Sequence, residues 1–216
     1  MSATVPTRQH VPARRHESER EGITLLAGIV ALMWLIEVIN TLDSNRLDND
    51  GIVPRDFGQL WGIFTAPFIH GSFQHLIDNT LPLVFMGLII ALRGAARLAL
   101  VSAIVIVIGG IGTWLIAPGG TVTFGASGVV FGYATYLLVR GLFDRSALEL
   151  ATGVLVGAVW GGALLSSLVP HTGISWQAHL CGAIAGVIAA WLLAAGRPGA
   201  GGASGPPGSR TRVVTG

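Results

Sequence analysis

Hydrophobic and polar residues alternate in long blocks along this 216-residue chain. Several apolar runs approach the length of about 20 residues that a helix needs to cross the hydrocarbon core of a bilayer. The pattern predicts six membrane-spanning helices, with expected bounds at 23–42, 73–92, 98–117, 127–142, 148–169 and 176–195. The fourth is short for a full crossing, which is reasonable if its start lies below the membrane surface.

The segments outside these runs divide into two tails and one long loop. Residues 1–21 are polar without periodicity, and residues 196–216 consist largely of Gly, Pro, Ser and Arg, so we expect two disordered tails around a membrane domain at 22–195. The loop at 43–71 becomes apolar after Trp61 but is broken by Pro67. Its apolar part is too short to span, so it should lie in the membrane interface or fold back against the bundle.

The composition agrees with a membrane protein. Hydrophobic residues make up 51% of the chain and charged residues only 11%, whereas a soluble domain carries about 25% charged residues. The single cysteine, Cys181, excludes an internal disulfide and a cysteine-rich metal site. We expect no cofactor, no metal ion and no nucleic-acid partner.

The arginines predict the orientation. All thirteen basic residues are arginine, and with six spans only Arg46 and Arg55 fall on one side, which leaves eleven on the side of both tails. Because positive charge concentrates in cytoplasmic segments, both termini should be cytoplasmic. Without an organelle-targeting signal, the plasma membrane of a prokaryote is the expected location.

Polar side chains gather at the outer ends of three predicted spans. His75 and Asn79 lie in the first turns of the second span, Ser127 opens the fourth, and His179 lies one turn into the sixth. At about 1.5 Å per residue, all four fall within roughly the outer 10 Å of the bundle. His75 and Asn79 share a helix face, so they could donate two hydrogen bonds to one oxyanion.

Ser127 stands between Gly125 and Gly128, at the start of a helix whose dipole favours negative charge. This arrangement suits a nucleophilic serine, although tight packing between helices would also explain it. Gly182 and Gly186 would let the sixth span approach the fourth and bring His179 to Ser127.

Structural roles remain open for several of these side chains. His179 could be a polar link between helices, and His75 and Asn79 could serve as polar packing. Asp78 could orient a histidine or face water, and Glu37, near the outer end of the first span, could reach the interface or a polar neighbour.

Three motifs resemble those of the rhomboid intramembrane serine proteases. They are Gly125-Ala126-Ser127-Gly128, the segment Ala178-His179-Leu180-Cys181-Gly182, and the segment from His70 to Asn79, within a resemblance that covers about 23–195. The resemblance implies an all-α, polytopic bundle of six transmembrane helices in the minimal six-span form. One departure is Trp61-Gly62, where the family's first loop often has a Trp-Arg pair.

The resemblance also implies the roles of the site residues. Ser127 would be the nucleophile and His179 the general base of a dyad. His75, Asn79 and the Ser127 N–H would form the oxyanion hole, and Phe131 would stack on His179.

The expected function is that of an intramembrane serine endopeptidase. It would cleave transmembrane segments of membrane proteins near the outer face, with the lipid bilayer and the substrates as its partners and the oligomeric state left open. A catalytically silent relative that binds membrane clients is one alternative, but such a protein is expected to lack the serine or the histidine. A small transporter is another, for which polar groups spread through several spans and, often, repeat symmetry would be expected.

Overall fold

A computed structural model describes residues 12–170 and 173–194 of the chain, with side chains from His16 onward. The predictions for residues 1–11 and 196–216 lie outside these ranges. Within them the structure contains six long helices, and the one β-type pairing is an isolated bridge. The predicted all-α bundle, with one long helix at each of the six positions, is confirmed.

The helix bounds differ from the predicted ones by a few residues, except at the start of the first helix. They are α1 Pro12–Leu42, α2 Phe73–Ala91, α3 Ala95–Ile116, α4 Ser127–Asp144, α5 Ala147–Ser166 and α6 Trp176–Leu192.

The prediction of a disordered tail is wrong for residues 12–21, which are helical. Gly22 packs so closely against the end of α2 that a Cβ there would overlap the Ala91 carbonyl, and Ser18 packs on Gly94 in the following turn. These contacts stabilise the part of α1 that precedes its apolar run.

The surfaces of the helices suit a lipid environment. Within the described residues, four helices are long and apolar enough to cross a membrane: α1 (from His16), α2, α3 and α5. The sixth, α6, is a shorter apolar helix, and α4 carries Arg140 and Asp144 in its last turns. Outward-facing side chains such as Leu81 and Val154 are apolar and exposed, as lipid contact requires.

Helix α4 lies at the centre of the bundle, and more than half of its residues are buried. A buried hydrogen bond of 2.6 Å joins Tyr133 on α4 to Ser102 on α3. At the end away from Ser127, Arg140 forms ion pairs with Asp144 at 2.9 Å and with Glu149 of α5 at 3.8 Å, and Arg93 also pairs with Glu149. These contacts hold the end of α4 against the start of α5.

The 43–71 loop folds back onto the end of the bundle that holds Ser127. Ile52 and Thr123 exchange two backbone hydrogen bonds of 2.8 and 3.0 Å. Arg55 donates to the Leu115 and Ala117 carbonyls at the end of α3, at 2.9 and 2.8 Å. The loop is thereby attached to the segment that leads into Ser127.

Close packing explains the glycine of the Trp61-Gly62 pair. A Cβ at Gly62 would overlap the carbonyl oxygen of Gly51, so no larger residue fits where the family often has arginine.

Candidate active site

The centre of the site is a contact between the first residue of α4 and a histidine on α6. The chain turns at Gly125, where φ is +112°, and α4 begins at Ser127. The Ser127 Oγ and His179 Nε2 atoms are 2.9 Å apart, within hydrogen-bond reach. A hydroxyl bonded to an unprotonated imidazole nitrogen is the arrangement that activates a serine nucleophile.

Glycines bring α4 and α6 close enough for this contact. A Cβ at Gly182 would overlap the Gly128 carbonyl oxygen, and a Cβ at Gly186 would overlap that of Gly132. The Thr135 hydroxyl also donates to the Ala183 carbonyl across the same interface at 2.7 Å. The predicted approach of these helices through Gly182 and Gly186 is therefore present.

Two further neighbours orient the His179 ring. Its Nδ1 lies 2.8 Å from the Ser167 carbonyl oxygen, at the end of α5. A carbonyl can only accept, so Nδ1 carries the proton and Nε2 has a free lone pair for the Ser127 hydroxyl. Phe131, one turn after Ser127, stacks on the ring at 4.4 Å between centroids and 9° between planes.

The Ser167 contact could not be predicted from side chains, because it uses a backbone carbonyl. Its position at the end of a helix explains why it is available, since the last carbonyls of a helix lack intrahelical partners.

His75 and Asn79 lie on α2 beside the loop that precedes Ser127. A Cβ at Gly125 would lie 2.7 Å from His75 Cε1 and 2.9 Å from Nε2, so only glycine lets the ring approach this backbone. Asn79 is buried and donates one amide hydrogen to the His75 carbonyl at 2.9 Å. A side-chain amide has two N–H donors, so one remains for a ligand.

His70 is a residue of the site to which the sequence assigned no role. It is fully buried, and its Nε2 accepts a hydrogen bond of 3.3 Å from the backbone N–H of Ala126. Its ring meets that of His75 edge to face, with centroids 5.0 Å apart. Burial, with the nearby His75 as a second cause, lowers the pKa of His70 from 6.5 to about 4. The neutral imidazole therefore accepts a hydrogen bond from the Ala126 N–H and packs against the His75 ring.

One cavity of about 340 Å³ lies at this site. Ser127, His179, His75 and Asn79 contribute to its wall, and so does Asp78. Pro82 of α2 and Trp160 of α5 extend the lining away from the dyad. The cavity thus combines a polar end with largely apolar walls between α2 and α5.

Glu37 lies apart from this cavity. Its side chain is fully buried among neighbouring residues. One turn further along α1, Asn40 donates to Asp48 at 2.8 Å and to the His70 carbonyl at 3.2 Å. This end of α1 therefore supports the backbone at His70.

In the described part of the chain, no group of three His, Cys, Asp or Glu side chains could hold a metal ion.

Comparison with known proteins gives one family. The family model described as the Rhomboid domain matches residues 57–196. An uncharacterized protein of Mycobacterium tuberculosis (strain ATCC 25618 / H37Rv) is 43% identical over 182 residues, which cover 81% of this chain and 76% of the relative.

Two more distant relatives carry informative names. A protein of Bacillus subtilis (strain 168) named "Putative rhomboid protease YdcA" is 28% identical over 79% of this chain and 87% of its own length. The "Rhomboid-like protein 11, chloroplastic" of Arabidopsis thaliana is 31% identical over 64% of this chain and 54% of its own length.

Proposed function

Because the chain belongs to the rhomboid family, we propose that it is an intramembrane serine endopeptidase with Ser127 as nucleophile and His179 as general base. The observation that carries this proposal is the 2.9 Å contact between Ser127 Oγ and His179 Nε2, with the other ring nitrogen bonded to the Ser167 carbonyl. That pair of contacts fixes the tautomer in which Nε2 can accept a proton.

The reaction begins when His179 Nε2 takes the hydroxyl proton as Ser127 Oγ attacks the scissile carbonyl carbon. The imidazolium then gives that proton to the departing amine, and an acyl-enzyme remains on Ser127. His179 next takes a proton from water, which attacks the ester carbonyl. Collapse of this second intermediate returns a proton to Oγ and releases the new carboxyl end.

The negative charge on the carbonyl oxygen needs donors at the head of α4. The remaining amide hydrogen of Asn79, an N–H of His75 and the backbone N–H of Ser127 are the proposed donors. Fixed donors directed at a developing oxyanion typically contribute a factor of about 100 to 1,000 in rate each. The close contact of His75 with Gly125 supports this assignment, because it brings the ring beside the serine loop.

The imidazolium in this scheme has no carboxylate partner in the observed contacts. The Ser167 carbonyl accepts the Nδ1 proton, and the face of Phe131 lies against the ring. Both contacts favour a positive imidazole, through a hydrogen bond and through the negative potential of the aromatic face.

The substrate class follows from the position of the dyad in a membrane bundle. An intact transmembrane helix keeps its peptide groups hydrogen-bonded, so a substrate has to unwind locally before Ser127 can reach a carbonyl. The arginine distribution supports cleavage near the outer face, since Ser127 lies at the end opposite Arg93 and Arg140.

A fluorophosphonate probe tests whether Ser127 is an activated nucleophile. The purified protein in liposomes should be labelled, with the adduct mapped to Ser127 by mass spectrometry, and His179→Ala should lose most of the labelling. Ser166→Ala is a matched control, because Ser166 is exposed and its hydroxyl donates to the Ala163 carbonyl of its own helix. Labelling that is equal in wild type and Ser127→Ala would overturn the proposal.

A further inference from the structure

Among the described residues, Asp78 is the one carboxylate in the wall of the cavity that holds Ser127. It lies on α2 directly before Asn79 and its side chain is exposed. It is five residues beyond Phe73, the start of the helix, so it lies roughly 7.5 Å along the helix axis. This places a negative charge at about the depth of the proposed oxyanion donors.

In the described structure Asp78 forms no ion pair with an arginine, and its charge interacts with His75 of the same helix. Its carboxylate accepts a hydrogen bond of 2.8 Å from Gln74, a neutral residue one turn earlier on the same helix. Asp43 and Glu149 pair with arginines, whereas Asp48, like Asp78, accepts a hydrogen bond from a neutral side chain.

Placing a carboxylate within a membrane-spanning segment costs desolvation free energy, which a cationic partner can offset. The neighbouring cavity wall includes Pro82, Trp160 and Leu164. Apolar surroundings weaken screening, so a cation that enters beside Asp78 is attracted more strongly than it would be in bulk water. A ligand with a positively charged side chain at this position would therefore bind more tightly.

We propose that Asp78 is a specificity-determining residue that favours substrates with a lysine or arginine near the scissile bond. This inference rests on the proposed function. These side chains are long and flexible, so their charged ends reach polar partners while their stems lie on apolar surface. Such residues are scarce at the outer end of transmembrane segments. The preference would therefore restrict cleavage to a minority of membrane proteins.

The test uses a set of single-span substrates in liposomes. One arginine is moved over the four residues on each side of the scissile bond, with glutamine and glutamate at the same positions as references. We expect at least one position at which arginine raises kcat/KM over glutamine by about fivefold, the size of a favourable partly exposed ion pair. Asp78→Asn should bring that ratio close to one, and Asp78→Lys should reverse it in favour of glutamate.

Asp43→Asn is the matched control. It removes the same charge from an exposed residue at the end of α1, outside the cavity lining, and the arginine preference should persist. If Asp78 only orients His75, Asp78→Asn would lower kcat for every substrate and leave the ratio unchanged, which would overturn the inference.

A binding measurement separates this inference from the proposed function. The Ser127→Ala protein, combined with each Asp78 variant, is titrated with the same fluorescent substrates in liposomes. Tighter binding of the arginine substrate that Asp78→Asn abolishes supports the inference even if wild type hydrolyses nothing, in which case the proposed function fails alone. Hydrolysis and binding that are both independent of the substrate charge would overturn the inference and leave the proposed function standing.

Discussion

At His179, three neighbours restrain one imidazole, two of them on α4 and one at the end of α5. Ser127 bonds Nε2, the Ser167 carbonyl bonds Nδ1, and Phe131 stacks on the ring face. Small displacements of a catalytic group cost large factors in rate. The stacking contact is the one that a single substitution can remove while both hydrogen-bonding groups remain.

Phe131→Ala should therefore lower kcat by about tenfold or more through loss of orientation, whereas Phe131→Tyr should retain most of the activity because its ring still stacks. Steady-state cleavage kinetics in liposomes measure both. Equal activity of the alanine and tyrosine variants would show that stacking has no part in orienting His179.

The titration of His70 makes the stability of the folded protein depend on pH. Its folded-state pKa is about 4 against an ordinary value of 6.5, so between these values the unfolded chain binds a proton that the folded protein does not. Stability should fall as the pH is lowered from 6.5 to 4, and His70 alone accounts for about 3 kcal/mol of that change.

His70→Gln should be less stable than wild type at pH 7.5, but the difference should shrink as the pH falls to 4, because the variant lacks this titration. Thermal unfolding in detergent at a series of pH values measures the difference. A constant gap between the two proteins would contradict the assignment of a neutral, buried His70.

At the scale of helices, the approach of α4 and α6 depends on glycine. Gly186 lies against the Gly132 carbonyl, so a methyl group there has to push the helices apart and move His179 away from Ser127. Overpacking of this kind costs about 1–3 kcal/mol.

Gly186→Ala should lower Tm and reduce kcat by at least tenfold, since the dyad depends on the distance between these helices. Gly162→Ala on α5 is the matched control, because a Cβ there meets nothing within 4 Å, and it should leave both quantities near their wild-type values. Retained kcat in Gly186→Ala would mean that close packing does not set the geometry of the dyad.

The helices were predictable from the sequence wherever lipid contact determined them. The apolar runs predicted α2 to α6 to within a few residues: α2, α3 and α5 are long and apolar enough to span the bilayer, and α4 is apolar because more than half of it is buried. The start of α1 was missed because Gly22 and Ser18 pack on α2 and the turn after it, and polar composition carries no signal of that contact.

The site was predictable to the extent that side chains form it. Ser127, His179, His75, Asn79 and Phe131 occur in motifs, and the structure brings them together around one cavity. The Ser167 carbonyl and the Ala126 N–H are backbone groups, which every residue possesses, so only the fold reveals which of them face the histidines.

For the whole molecule, the distribution of arginines predicts a single orientation in the membrane. Asn49 lies on the same side as Ser127, whereas Ala96 lies at the start of α3, between Arg93 and Arg97, and both residues are exposed. The two positions should therefore face opposite sides of the membrane.

Asn49→Cys should react with a membrane-impermeant maleimide in intact cells, and Ala96→Cys should react only after the membrane is opened, each in a Cys181→Ala background. The reverse pattern would place Ser127 on the cytoplasmic side and contradict cleavage near the outer face.

The proposed dyad is tested by cleavage of a single-span substrate by the purified protein in liposomes, with Ser127→Ala and His179→Ala measured in parallel. We expect wild type to cut the substrate at one site near its outer end, and each variant to lose at least a thousandfold in rate, as for other serine nucleophile and base pairs. Cleavage by Ser127→Ala at the wild-type rate would show that Ser127 and His179 do not form a catalytic dyad.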